Sequence, residues 1–176
     1  MTYDNLRVLR TTNMKICRTR HKISFFLFLI LFLHLIPAFV FAHDLAVIVN
    51  KANLADNVSF KDLIKIFKQE KQYWKDGKKI YLILQEAGSP EKEIALKKIY
   101  KMGNIQLKKF WLAKLFREEI SSFPKTFGSN QAVKRFVSQV PNAIGYIDAA
   151  LMDTSIKMLR INGKLPGEMK YILSNK

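Results

Sequence analysis

The residues of this sequence best suited to chemistry are Gly88 and Ser89, together with the backbone around them. Ser89 can cap a helix through its hydroxyl, and Pro90 suits the first helical position because no N–H is needed there. The apolar run at residues 81–84 predicts a buried strand, and residues 91–102 predict a helix. Backbone N–H groups at a strand–turn–helix junction attract anions, so we expect oxyanion binding at this turn.

Side chains for nucleophilic or metal-assisted catalysis are scarce. Cys17 is the only cysteine, and His43 is the only histidine beyond His34. A catalytic Ser/His/Asp arrangement needs a histidine inside the fold, and zinc sites need several Cys or His ligands. We therefore expect no enzyme, no metal site and no cofactor. His43 could bind copper as an N-terminal residue, but a disordered end is the simpler expectation.

The first 42 residues have the pattern of an export signal. A basic segment at residues 15–22 precedes an apolar run at residues 23–36, and Pro37 then interrupts the run. Val40 and Ala42 are small residues at the positions that a signal peptidase requires. We expect cleavage after Ala42.

Cleavage at that point would release a mature protein that begins at His43. The 20 residues from 23 to 42 could instead anchor the chain in a membrane. Either Met1 or Met14 could be the start of the signal, because residues 15–22 already supply its basic part. Loss of Cys17 with the signal would leave a cysteine-free domain, which fits a bacterial periplasm.

The net charge is +16 for the whole chain and +11 beyond residue 42, where 24 basic and 13 acidic residues remain. Such a charge is typical of proteins that bind nucleic acid or anionic surfaces. An export signal argues against nucleic acid, and the lysines are dispersed over the polar faces of predicted helices. We therefore expect a solvated, lysine-rich surface and no nucleic-acid partner.

Strand and helix patterns alternate along residues 43–176. The predicted strands lie at residues 45–49, 80–84, 143–147, 156–161 and 169–173, and residues 121–127 are a predicted loop. Predicted helices follow Ser59, Ser89 and Ser129, and a further helix is expected where Gly103 ends one helix and Asn104 caps the next. This order predicts one α/β domain over residues 43–176, with a mixed β-sheet flanked by helices.

Gly145 interrupts the apolar strand at residues 143–147. Glycine weakens a strand unless space or backbone geometry requires it. We therefore expect either close packing or a ligand beside Gly145, with a β-bulge as the alternative.

Several segments, taken in order, resemble one known family. These are residues 50–53, 60–67, 73–77, 84–89, 141–147, 157–163 and 170–173. The segment at 141–147 is the most specific, since it is similar to the family sequence PGAIGYV. The family is the periplasmic phosphate-binding proteins of ABC transporters, within the type 2 periplasmic binding protein superfamily. The resemblance implies a periplasmic-binding-protein-like lobe that binds phosphate or another oxyanion through Gly88 and Ser89.

Two departures from the family pattern matter. The family's first lobe has no counterpart in this sequence, and the family turn Gly-Ser-Gly-Thr is Gly-Ser-Pro-Glu here. Pro90 cannot donate an N–H, and the carboxylates of Glu86 and Glu91 would repel phosphate. Two functions therefore stay open. One is a solute-binding protein of the phosphate class that works with an ABC transporter permease, and the other is a non-transport interaction module, for example of a membrane sensor.

Overall fold

The computed structural model describes residues 43–175, so the predicted export signal, its cleavage and Cys17 lie outside the described residues. The strands are β1 (Leu45–Val49), β2 (Asn57–Val58), β3 (Tyr81–Gln85), β4 (Lys125–Phe127), β5 (Ala143–Asp148), β6 (Lys157–Met158) and β7 (Arg160–Ile161). The α-helices are α1 (Phe60–Phe67), α2 (Pro90–Ala95), α3 (Asn104–Phe116) and α4 (Asn130–Gln139). A π-helical turn (Leu96–Tyr100) continues α2, and a 3-10 turn (Ala149–Leu151) follows β5. Across residues 43–175, no helix has both the length and the apolarity to cross a membrane.

Five strands form one mixed sheet in the order β4-β3-β5-β1-β6. β3 pairs in parallel with β4 and with β5, whereas β1 is antiparallel to both β5 and β6. β2 and β7 form a separate parallel pair. The predicted α/β class, with a mixed sheet flanked by helices, is confirmed.

The two faces of the sheet are covered by different helices. In β1, Leu45 and Val47 join the core formed with α1 and α3, whereas Ala46 and Ile48 pack in the core that includes Val133 of α4. This division follows from the alternation of side chains along a strand. Every residue of β1 is buried. Burial of both faces explains why this strand is an uninterrupted apolar run.

Serines begin three of the helices, as predicted. The Oγ atoms of Ser59, Ser89 and Ser129 each accept a hydrogen bond, 3.1–3.2 Å long, from a backbone N–H three residues later. Each serine thereby satisfies one of the N–H groups that a helix leaves unpaired at its start. Pro90 is the first residue of α2, again as predicted.

The junction between α2 and α3 differs from the prediction. The backbone enters the left-handed region at Lys101 (φ 55°), so Gly103 does not end the preceding helix. Gly103 is instead the N-cap residue of α3, and its N–H donates to Gln106 Oε1 at 3.0 Å. Asn104 does not cap the helix, because its side chain donates to Glu93 Oε1 at 3.2 Å. The π-helical turn ends at Tyr100, two residues before the end that the sequence pattern indicated.

Residues 156–161 do not form one strand, and this prediction was wrong. Leu159 separates β6 from β7, and the two strands belong to different sheets. The Leu159 N–H donates to the Val47 carbonyl at 2.9 Å, while the Arg160 N–H donates to the Asp56 carbonyl at 2.9 Å. The chain therefore crosses from one sheet to the other within two residues.

The predicted final strand at residues 169–173 is also wrong, because this segment consists of turns. Tyr171 and Leu173 are buried all the same. The Tyr171 hydroxyl donates to the Leu45 carbonyl at 2.8 Å, and the Leu45 N–H donates to the Leu173 carbonyl at 3.1 Å. Of the three alternating apolar residues, Tyr171 and Leu173 reach the core, whereas Met169 is 85% exposed.

The predicted loop at residues 121–127 contains a strand. β4 occupies its last three residues and pairs in parallel with β3 along Ile83, Leu84 and Gln85. Three residues are too few for a periodic pattern to be visible in the sequence.

Gly145 lies in a regular part of the sheet. The β1–β5 register runs without a break from Leu45 opposite Asp148 to Val49 opposite Ile144, so the β-bulge alternative is wrong. A Cβ atom at Gly145 would lie 3.0 Å from Cγ1 of Val133 and 3.4 Å from Cβ of Ile83. The glycine therefore makes room for close packing between β5, β3 and α4.

Candidate functional site

The predicted site lies where parallel strands β3 and β4 end. A cleft of about 480 Å³ is lined there by residues 85–91 and 128–130, and we call it the strand-end cleft. Helices α2 and α4 both begin at this cleft. In a parallel sheet the carboxyl ends of the strands share one edge, which places these two helix N-termini side by side.

The predicted ligand-binding residues Gly88 and Ser89 both line the strand-end cleft. Gly88 has φ +92°, a left-handed conformation that favours glycine. The Ser89 Oγ accepts from the Lys92 N–H at 3.1 Å, and the Ser89 N–H donates to the Glu86 carbonyl at 3.5 Å. The hydroxyl hydrogen of Ser89 can still donate to a ligand, so a binding role for these two residues stays a prediction.

Glu91 occupies the position between the two helix starts. Its side chain is 7% exposed, and its Oε1 accepts from Nδ2 of Asn130 at 2.8 Å. Asn130 is the first residue of α4. A carboxylate placed there matches the positive N-terminal ends of both helices. The strand-end cleft therefore contains an anion that belongs to the protein itself.

Asn130 links Glu91 to the sheet. Its Oδ1 accepts from Nε2 of Gln85 at 2.7 Å and from the Asp148 N–H at 3.2 Å. Gln85 Nε2 also donates to the Tyr146 carbonyl at 3.2 Å, and the Gln85 N–H donates to the Tyr146 hydroxyl at 3.3 Å. Burial raises the pKa of Tyr146, and the negative charge of Glu91 raises it further. This network holds Glu91 in one position.

The sequence interpretation missed Gln85 and Asn130. Asn130 follows the predicted cap Ser129 directly, so its place in the first turn of a helix was visible. Its partners were not, because Glu91 is 39 residues away and Gln85 is 45 residues away along the chain.

Glu86 brings a second carboxylate to the strand-end cleft. Its Oε2 would lie 3.1 Å from a Cβ atom added to Gly128, so the side chain packs against that glycine. Gly128 lies directly before the Ser129 cap of α4. Both acidic residues that the sequence placed beside the turn therefore lie at the cleft, and each disfavours a bound anion.

The sequence predicts a disordered end at His43, but the structure places this residue in contact with the fold. Its Nδ1 lies 2.6 Å from Oδ2 of Asp148, at the end of β5. Within residues 43–175, no three His, Cys, Asp or Glu side chains form a group that could hold a metal ion.

Solved structures of phosphate-binding proteins share this fold. An ABC-type phosphate transport receptor from Vibrio cholerae superposes with a TM-score of 0.60 at 21% identity, over 75% of this chain and 53% of that one. PstS from Borrelia burgdorferi gives a TM-score of 0.59 at 22% identity, over 76% of this chain and 55% of that one. A Clostridium perfringens protein, described as a phosphate ABC transporter substrate-binding protein with bound phosphate, gives a TM-score of 0.57 at 20% identity, over 70% of this chain and 47% of that one.

No protein-family model and no curated protein matches the chain. The chain spans about half the length of the structures it matches. These structural neighbours are substrate-binding transport proteins. The resemblance predicted from the sequence is confirmed, and what the chain shares with the phosphate-binding proteins of ABC transporters is the fold of about half of their length.

Proposed function

We propose that this chain is an exported binding-protein lobe that acts as an interaction or sensory module, not as an enzyme or a carrier of free phosphate. One observation carries the proposal. The buried carboxylate of Glu91 lies where α2 and α4 begin and is held there by Asn130. A ligand of the strand-end cleft must tolerate this fixed negative charge.

Coulomb repulsion argues against phosphate at this position. Two unit negative charges about 4 Å apart repel by roughly 4 kcal/mol at an effective dielectric constant of about 20. That energy corresponds to nearly a thousandfold loss of affinity. Glu86 adds to the repulsion, although it is exposed and therefore better screened by solvent.

Specific observations favour a second candidate function, which is oxyanion binding at Gly88 and Ser89 by a solute-binding protein of the phosphate class. The strand-end cleft is large enough for a small anion, and Ser89 keeps a hydroxyl hydrogen to donate. The structures with this fold are described as phosphate transport proteins. In this function the chain would work with an ABC transporter permease.

Calorimetric titration with phosphate and sulfate at low salt separates the two functions. We expect no heat from the wild-type protein at millimolar anion. We expect Glu91→Gln to gain measurable phosphate binding, because an amide keeps the oxygen that accepts from Asn130 and removes the charge. The matched control is Glu93→Gln, which removes the same charge from the exposed side of the same helix turn.

Micromolar phosphate binding by the wild-type monomer would overturn the proposal in favour of the second function. Equal gains in the two variants would show that overall charge, and not the position of Glu91, excludes the anion.

The interaction role has its own test in the exporting cell. A photo-reactive residue at the exposed Ser129, on the rim of the strand-end cleft, should cross-link to one membrane protein, either a permease or a sensor. The same residue at the exposed Ser155, which is not part of the cleft lining, is the control. Equal labelling from both positions would contradict a partner surface at the cleft.

A further inference from the structure

A second pocket of about 520 Å³ lies between α3 and the edge of the sheet formed by β3 and β4. We call it the Trp111 pocket. It adjoins the strand-end cleft at residues 85–87, but its lining is mainly apolar. The apolar lining includes Leu84, Ile105, Leu107, Trp111, Leu112 and Phe123. A pocket of this size and composition is typical of small-molecule sites, which span roughly 300–1,000 Å³.

Lys92 is the charged residue buried in this lining. It is 6% exposed, and no carboxylate among residues 43–175 lies within ion-pairing distance of its Nζ. The Nζ lies 5.9 Å from the centre of the Tyr100 ring. Burial lowers the pKa of Lys92 to about 8, although the nearby Glu93 acts in the opposite direction. A buried ammonium without a counter-ion is unfavourable, so this site favours an incoming anion.

Trp111 contributes an aromatic ring to the same lining. Its indole N–H is buried and makes no hydrogen bond within the described part of the chain. The Trp111 ring packs edge-on against Tyr100, with ring centres 6.3 Å apart. Tyr100 therefore lies beside both Lys92 and Trp111. Because the indole N–H is enclosed by the protein, a ligand in the pocket contacts the Trp111 ring and not the N–H itself.

We propose that the Trp111 pocket binds an apolar monocarboxylate, whose hydrocarbon part lies on the apolar lining, including the Trp111 ring, and whose carboxylate pairs with the ammonium of Lys92. The ammonium has donors and no acceptor, so the polar end of the ligand must be an acceptor. The ammonium selects a negative acceptor, and the lining selects an apolar body. Inorganic phosphate does not satisfy the second requirement. This site is independent of the proposed function, which concerns the strand-end cleft.

Other charged groups at the pocket are compatible with this ligand. Lys108 is exposed at the rim, where it adds attraction for an anion. Glu86 also lines the pocket, but its carboxylate packs against Gly128 on the side of the strand-end cleft.

The experiment follows the two indole N–H resonances of the ¹⁵N-labelled protein by NMR. Trp74 and Trp111 are the only tryptophans, and the Trp74 N–H donates to the Asn142 carbonyl at 3.1 Å, away from the pocket. Decanoate and 2-naphthoate are the probes, and they distinguish an acyl chain from an aromatic ring. We expect at least one acid to shift the Trp111 resonance saturably below about 1 mM, while the Trp74 resonance stays in place.

Variants test the role of the charge. Lys92→Met keeps the apolar stem and should weaken binding of the acid by about tenfold, whereas binding of the neutral decanol should not change. Lys97→Met removes an exposed lysine from the next turn and is the matched control. Lys92→Gln is the second variant if the methionine variant does not fold, as judged by the Trp74 resonance.

Three results would overturn the proposal. They are no Trp111 shift with either acid up to about 1 mM, equal affinity of the wild type and Lys92→Met for the acid, or displacement of the acid by equimolar phosphate.

Discussion

Replacement of Gly145 by valine tests how tightly β5 packs against its neighbours. A Cβ atom alone would lie 3.0 Å from Cγ1 of Val133, whereas carbon atoms pack best at about 3.5–4.0 Å. Val133 is 0% exposed and Ile83 is 1% exposed, so neither can move toward solvent. Gly145→Ala should nevertheless be close to neutral. The cost of its overlap of a few tenths of an ångström is offset by about 0.4–1 kcal/mol, because alanine restricts the unfolded chain more than glycine does.

Valine adds two further carbon atoms at the same place. Overpacking of this kind costs about 1–3 kcal/mol, and we expect Gly145→Val to lose about 2 kcal/mol of unfolding free energy. For a domain of this size, the melting temperature should fall by roughly 6–10 °C. Chemical and thermal unfolding of the wild type and of the alanine and valine variants measure these differences.

A double-mutant cycle shows whether Val133 is the cause. Val133→Ala removes the methyl group that Gly145→Val would meet, so the double variant should be more stable than the sum of the single effects by about 0.5–3 kcal/mol. Additive effects would show that Val133 is not the close neighbour. A Gly145→Val protein with a raised melting temperature would refute the whole argument, since β-branched residues otherwise suit strands.

Three further predictions follow from other parts of the molecule. Lys92→Met should stabilise the protein at pH 7 by about 1–2 kcal/mol, because the full shift of the Lys92 pKa from 10.5 to about 8 corresponds to roughly 3 kcal/mol before solvent and relaxation reduce it. The unfolded wild type binds more protons between pH 8 and 10.5, so in denaturant titrations the advantage of the variant should be full below pH 8 and disappear by pH 10.5. Asn50→Ala should cost about 1–3 kcal/mol, because Nδ2 of Asn50 donates to the Val137 carbonyl at 2.9 Å and to the next carbonyl at 2.8 Å, and unfolding curves would show the loss. Mass spectrometry of the exported protein should find His43 as its first residue, and a full-length N-terminus in the membrane fraction would identify residues 23–42 as an anchor.

Local features of the structure could be predicted because they depend on neighbouring residues. The caps at Ser59, Ser89 and Ser129 each bond to an N–H three residues away, and β1 is buried because its sequence is apolar throughout. The sequence order of strands and helices was sufficient for the fold class, since β–α alternation with short connections permits few sheet arrangements.

Short strands and helix junctions could not be predicted. β6 and β7 contain two residues each, and their pairing depends on Leu159 crossing between two sheets. The buried residues Tyr171 and Leu173 alternate with the period of a strand, but their hydrogen bonds are not those of a sheet. The Tyr171 N–H donates to the Glu168 carbonyl within a turn, the Tyr171 hydroxyl donates to the Leu45 carbonyl, and the Leu173 carbonyl accepts from the Leu45 N–H. A turn that packs on the core can bury every second residue, so its sequence shows the same apolar alternation as a strand.

The sequence by itself determined that Gly88 and Ser89 form a strand–turn–helix junction and that Glu91 follows them in the first turn. Only the tertiary structure decided what Glu91 does, because the parallel pairing of β3 with β4 and β5 brings Asn130 within 2.8 Å of its carboxylate. The same holds for Lys92, which is buried and lines a pocket together with residues of α3. Hydrogen bonds and burial between segments that lie about 20 to 45 residues apart follow from the path of the chain, and no local pattern records them.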